Sequence, residues 1–511
     1  MSTDLAQLPA HLSGEQPEIE EWSAIAETFG GRVHVEWDPA EPVTPFGQLP
    51  FFIEYLQQGG LFDGWVADCP LAFVSPNAPR KRDVLGTLML SILAGHRRYA
   101  HITALRADPV NPPLLGMRKV ISEDAVRRAL AKIDETAGML QTHLDYCLKP
   151  LLQEPWILDA DCTIKPLYGE QEGAVVSYNP RKPGRPSHCY HTYMLSNLRL
   201  VLGVDVVAGD EHAPKHALEG LWSLLDRIGR PRWPTLLRGD SQWGVEPVMA
   251  RAEREGLRYL FRLRATLNVN RALRRAMLER DWTDAGQGWQ GKEMQLRLQG
   301  WSRQRRVILL RRKLDRPLAM MDREQPAALQ LSFAEVAGKR EVWEYAALVT
   351  SLSNEILSLG QLYRDRADSE NAFDELKNQW GWLGYTTHDH ARSEMMTLFV
   401  ALVYNWWSLF TRLSFPNKRA EAITSRPLLL HAIGRKTSHS NQSTLTLTSL
   451  HAEAGTIQVA MKAVAGFLGH IRTIAEQLKP NERWRLILRA IVRAFPLNRA
   501  MKMSTPVFQT P

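Results

Sequence analysis

The sequence predicts a mixed α/β protein: a central sheet between helical N-terminal and C-terminal regions, interrupted by a β-rich insertion. Three observations lead there. The hydrophobic period changes from helical to strand-like at Glu154, and strands then alternate with helices to about residue 265. Residues 362–380 carry an apolar stripe beside a charged one, as a helix docked on a core does.

Taken in order, residues 1–45 are acidic and Pro-rich at their ends, which predicts a flexible N-terminal arm. Residues 46–152 have a helical period. Ser122 is placed to cap a helix there, with Glu123 and Asp124 complementing the helix dipole and Arg127 and Arg128 a turn later. With the basic segment 95–99, this suits a DNA-binding region, although any amphipathic helix has a similar look. WILDADCTIKPLYG, AVVSYN and residues 193–207 then read as three strands. Helices are expected over 213–228 and 245–256, with strands in PTLLRGD and LRYLFRLR. These make 153–265 the first part of the sheet-bearing core. Hairpin strands in 266–342 form the β-rich insertion, VWEYAALVTSL returns to the core (343–400), and 401–511 is mostly helical with a polar break at 436–449.

At 511 residues the chain exceeds one ordinary core. Lys and Arg number 63 against 55 Asp and Glu, a net charge of +8 that favours a polyanionic partner. Cys69, Cys147, Cys162 and Cys189 form no C-x-x-C, so a disulfide framework and a zinc ribbon are not indicated and reduced cytoplasm fits. No secretory leader is evident, and the apolar run 395–410 is too short and too interrupted for a membrane span, so it reads as a buried helix.

Wound as one helix, 362–380 places Tyr363, Arg366, Glu370 and Lys377 on a stripe roughly 60° wide. Ion pairs on an exposed helix would give the same spacing. Acidic residues elsewhere favour a site. Asp159 and Asp161 share a strand face, because side chains alternate, and Asp240 ends an apolar strand at a glycine turn. Two aspartates at strand ends and a helical glutamate match the oxygen ligands that two hard divalent cations need.

Here the sequence resembles a family. Y-x2-R-x3-E-x6-K over 363–377, in order after DADCT, YGEQEGA, YNPRKPGRPSH and LRGDSQW, resembles bacterial insertion-sequence transposases of the Asp-Asp-Glu class. The motifs, spread over roughly residues 80–415, look most like the insertion-sequence family numbered thirteen-eighty. The resemblance implies an RNase H-like core with Asp161, Asp240 and Glu370 as catalytic metal ligands for two Mg²⁺ ions, Mn²⁺ substituting. Asp161 is preferred to Asp159 because Thr163 follows it by two. It also implies metal-dependent cleavage and strand transfer of double-stranded DNA at terminal inverted repeats, by a homodimer on paired ends, in the bacterial nucleoid.

Tyr363, Arg366 and Lys377 would then hold backbone phosphates. So would Arg181, Lys182 and Arg185, on a loop stiffened by three prolines, for which an ordinary exposed turn is the alternative. Trp289 or Trp301 would stack an unpaired base, or simply pack the core. A catalytically silent DNA-binding protein of transposase origin, and a nuclease without strand transfer, are the competing functions.

Overall fold

The computed structural model describes residues 23–494, apart from 37, 39–41, 74, 76, 134–135, 178, 180–181, 212, 217, 315–341 and 441. It begins with a hairpin, β1 (Ser23–Thr28) and β2 (Gly31–Glu36), which occupies part of the expected arm, and then β3 (Val43–Thr44). Six helices follow: α1 (Leu49–Gln58), α2 (Leu61–Asp68), α3 (Lys81–Leu93), α4 (Asn111–Leu114), α5 (Glu123–Leu130) and α6 (Thr136–Leu148). Ser122 does cap α5, its hydroxyl accepting from the Ala125 amide at 3.3 Å.

The central sheet opens with β4 (Ile157–Pro166), β5 (Val175–Val176), β6 (Pro186–Leu195) and β7 (Leu200–Ala208). The single strand expected over 193–207 is thus the corner of a hairpin. Arg199 makes the corner in the left-handed region (φ 48°), an arginine in a place that sequence patterns assign to glycine or asparagine. The helix expected over 213–228 is two pieces, α7 (Ala213–His216) and α8 (Gly220–Ile228). Then come β8 (Leu236–Gly239), α9 (Glu246–Arg254), β9 (Tyr259–Arg262) and α10 (Leu267–Met277). The next strands are β10 (Thr283–Gly286), β11 (Trp289–Leu296), β12 (Arg305–Leu314) and β13 (Val342–Thr350).

Ten strands form one mixed sheet in the order β10-β11-β12-β13-β9-β8-β4-β6-β5, with β7 also paired to β6. Only β4, β8 and β9 run parallel to one another; the other pairings are antiparallel. In its described part the β-rich stretch over 266–342 opens on α10, and its strands lengthen this sheet through β13.

The chain then runs through α11 (Ile356–Arg364), α12 (Ala367–Gln379), α13 (His390–Ser414), α14 (Ala422–Leu429), β14 (Gly434–His439), β15 (Gln442–Leu447), α15 (Ala454–Thr473) and α16 (Pro480–Ala494). The polar break at 436–449 is therefore largely the β14–β15 hairpin. α13 contains the apolar run 395–410 and is buried nearly throughout. Trp65 packs on Phe399 and Trp406, and Phe52 on Trp407 and Phe410, so N-terminal helices close around α13. α13 also crosses the boundary expected at residue 400. Among the described residues no helix is long and apolar enough to cross a membrane, and the four cysteines are free thiols.

Candidate active site

Parallel pairing of β4 with β8 sets a ladder of side chains on the sheet face that α11 covers. At the bottom, Ile157 lies beside Leu236, and with Leu260, Leu348, Leu359 and Leu362 they form a small apolar core under α11. One step up, Asp159 lies beside Arg238. One residue past the last paired positions, Ala160 with Gly239 and Gly239 with Phe261, the same register leads to Asp161, Asp240 and Arg262, and Asp161 lies within electrostatic range of Asp240. In this row Asp240 and Arg262 stand where β8 and β9 end, beside Asp161 in the middle of β4, and the ends of parallel strands are where open α/β sheets expose groups to a ligand.

Asp159 is fully buried and both its oxygens are engaged. Arg238 donates from Nε to Oδ1 at 2.6 Å and from Nη2 to Oδ2 at 2.7 Å, and the Ser369 hydroxyl also donates to Oδ2. Burial alone would raise its carboxyl pKa; Arg238 outweighs burial and holds it below the ordinary value. The third nitrogen of Arg238, Nη1, donates to the Leu362 carbonyl.

That last bond accompanies a break in the helix expected over 362–380. A continuous helix would point the Arg366 amide at the Leu362 carbonyl. The amide bonds the Tyr363 carbonyl instead, at 3.1 Å, and α11 ends at Arg364 before α12 begins at Ala367. A side chain inserted into the helical ladder is a recognised cause of such breaks.

Asp161 and Asp240 are the reverse of the Asp159–Arg238 pair. Burial raises the Asp240 carboxyl pKa, and the neighbouring Asp161 charge raises it further. Asp240 Oδ1 accepts from the Gln242 amide at 2.9 Å, which fixes the turn after β8. Gly239 is required in that turn: a Cβ there would lie 2.5 Å from the buried Trp243 ring.

Arg366 links the two halves of the site. Only 4% exposed, it donates from Nη2 to Asp161 Oδ1 at 3.0 Å and from Nη1 to Glu370 Oε1 at 2.7 Å. Burial would lower its pKa, but the surrounding carboxylates, Asp161 first, keep it above the ordinary arginine value. Glu370 lies in the first turn of α12 with its side chain 63% exposed. Tyr363 lies in the last turn of α11, its phenol pKa raised mainly by burial, with Arg366, Arg262, Asp240 and Glu370 in electrostatic range. Lys377 is half-buried two turns beyond Glu370.

The structure thus brings together Asp161, Asp240, Arg366, Glu370 and Tyr363. Lys182 and Arg185 are exposed at the start of β6, beside Pro166, which is five residues or roughly 16 Å along β4 from Asp161. The Arg185 guanidinium lies over the Tyr168 ring at 5.0 Å. Arg181 falls outside the described residues. Trp301 is a core residue under Arg305, and half-buried Trp289 carries Arg312 over its ring. Two cations absent from the sequence reading are Arg262, in the Asp161–Asp240 row, and Arg264, within electrostatic range of Asp240. Among the described residues neither side chain forms a hydrogen bond or ion pair. The signal for them was the period-two spacing in LRYLFRLR at a strand end.

Among the described residues no three His, Cys, Asp or Glu side chains stand together as a ready metal cluster, and Glu370 is turned to Arg366. The donor chemistry nevertheless fits a hard divalent cation. Two adjacent, largely buried carboxylates repel one another, and oxygen-only ligands suit Mg²⁺ or Mn²⁺.

The model of the family described as transposase DDE domain group 1 matches residues 78–467, well over half of the chain. The chain belongs to that family. No curated protein matches it in sequence. Among solved structures, the cryo-EM structure of the piggyBac transposase synaptic complex with hairpin DNA aligns over 89% of this chain and 86% of that one. Its identity is 11% and its TM-score 0.38, too distant to bear on this transposase domain.

Proposed function

We propose that this chain is an active DDE transposase. It binds the terminal inverted repeats of its own insertion sequence, cleaves the DNA backbone there, and joins the freed ends to target DNA. The observation that supports this most is the pair of Asp161, on β4, and Asp240, just past the end of the parallel strand β8, with Glu370 sharing Arg366 with Asp161. On this reading β7-β6-β4-β8-β9 is the RNase H-like core, and the element would be a bacterial insertion sequence of the family numbered thirteen-eighty, a reading that the motif order supports.

Asp161, Asp240 and Glu370 would hold the two Mg²⁺ ions, or Mn²⁺. Bound there, such ions supply activation of an attacking oxygen and stabilisation of the leaving one. The protein's own groups do the rest. Asp159 is spent on Arg238, which leaves Asp161 as the ligand on β4. Tyr363, Arg366 and Lys377 orient the scissile phosphate, and Arg262 and Arg264 add charge beside Asp240. Lys182, Arg185 and Arg181 contact the duplex farther out, as do Arg127 and Arg128 of the N-terminal region. A homodimer would bring two ends together, in the nucleoid of the bacterial cytoplasm.

The test is incubation of the purified chain with Mg²⁺ or Mn²⁺ and DNA carrying the inverted repeats that flank its gene. Nicking at the repeat ends and joined products are expected. Wild-type cleavage by Asp161→Ala, Asp240→Ala and Glu370→Ala would sink the proposal. Tight repeat binding without cleavage would favour a silent DNA-binding protein.

A further inference from the structure

Arg366 is nearly inaccessible yet incompletely satisfied. Its two Nη groups bind carboxylates on different elements, Asp161 of β4 and Glu370 of α12, while its Nε is buried with no hydrogen-bond partner. The two attachments differ in kind. Asp161 is largely enclosed, with its side chain 20% exposed, whereas Glu370 faces solvent and is held through one oxygen by an i,i+4 pair. Water can replace Arg366 on the exposed Glu370 carboxylate, and the vacated Nη1, with the unbonded Nε, then calls for another acceptor to satisfy the buried guanidinium.

We propose that Arg366 couples the two ligands of this site: it competes with a divalent cation for Asp161 and Glu370 until a DNA phosphate takes its guanidinium. This rests on the proposed function. A guanidinium presents a planar fork of donors that matches a phosphate as well as a carboxylate, so the exchange replaces one set of charge-assisted bonds by another. As Arg366 turns to phosphate, Asp161 loses a competing positive charge and Glu370 is released to face Asp240. Cation and DNA then tighten each other's binding by the same factor. Arg366 is a positioning residue for the cation ligands.

Mn²⁺ binding to the full chain, followed by electron paramagnetic resonance, tests the coupling. Without DNA, Arg366→Gln is expected to bind Mn²⁺ at least about tenfold more tightly than wild type, a modest part of the effect of a unit charge a few ångströms away. Equal or weaker binding would overturn the proposal. Should Arg366→Gln not fold, Arg366→Lys serves, because one ammonium cannot span both carboxylates; it too should bind Mn²⁺ more tightly, and unchanged affinity would count against the idea. A duplex ending in the flanking inverted repeat should tighten Mn²⁺ binding to wild type, and that gain should shrink in Arg366→Gln. An equal gain in both refutes the coupling. Normal cleavage with DNA-independent Mn²⁺ affinity would remove this inference and leave the proposed function; coupled binding without cleavage would do the opposite.

Discussion

Two neighbouring rungs of one ladder, Asp159–Arg238 and Asp161–Asp240, lie on the same two strands and have opposite characters. In the first, opposite charges meet with both carboxylate oxygens and all three guanidinium nitrogens bonded, and nothing is left over for a ligand. In the second, two carboxylates face each other, and burial and the neighbouring Asp161 charge raise the Asp240 carboxyl pKa. A paired buried charge is sealed into the fold, whereas a mismatched one awaits something from outside. The lower rung anchors α11 and, through Ser369, α12, so it sets where Glu370 stands relative to the upper one.

The largest effect should separate the rungs by activity. Asp240→Asn is expected to reduce cleavage roughly a thousandfold, the scale of losing a preorganised electrostatic contact, while the melting temperature stays level or rises as repulsion is relieved. A fall in melting temperature like that of a core variant would erase the distinction. Next, Arg238→Met strands Asp159 as a buried unpaired charge and should cost about 3–5 kcal/mol in urea unfolding. The double variant Asp159→Leu with Arg238→Met should recover much of that loss, and failure to recover would mean that the lower rung does more than pair charge. Ser369→Ala removes one hydrogen bond to the Asp159 carboxylate and should cost about 1.5 kcal/mol, measured the same way.

The smallest effect concerns a group outside both rungs that is buried neutral. Burial lowers the His96 pKa from 6.5 to about 4, helped by His101 and Arg426. The unfolded chain therefore binds a proton that the folded one refuses. His96 gives its full contribution above pH 6.5 and loses it as pH falls toward 4. Urea midpoints at pH 7.5 and 5 should differ less in His96→Gln than in wild type, and an equal difference would assign the acid sensitivity elsewhere.

The candidate site was legible because its carboxylates mark a strand face, a strand end and a helix face, which are local patterns. Period two puts Asp159 and Asp161 on one face, and what distinguishes them in the fold, the bond of Asp159 to Arg238, comes from 79 residues away. The break between α11 and α12 was hidden for the same reason: residues 362–380 favour one helix locally, and a guanidinium from β8 accompanies its interruption. Strands β10 to β12 were legible as strands, but not as extensions of the main sheet, because their link to it passes through β13. Residues 434–447 are polar enough to resemble a loop, and their pairing gives them strand form.

The amide of Asn405 also has a kinetic meaning. It accepts from the Val201 N–H at 2.9 Å and donates to the Val201 carbonyl at 2.8 Å, closing an edge of β7 with a group made 204 residues later. During synthesis that edge emerges from the ribosome long before its cover, and contacts of such sequence separation form slowly. We expect the nascent sheet to be exposed to strand pairing with other chains until α13 arrives, a vulnerable interval that chain-length-resolved proteolysis on the ribosome would measure.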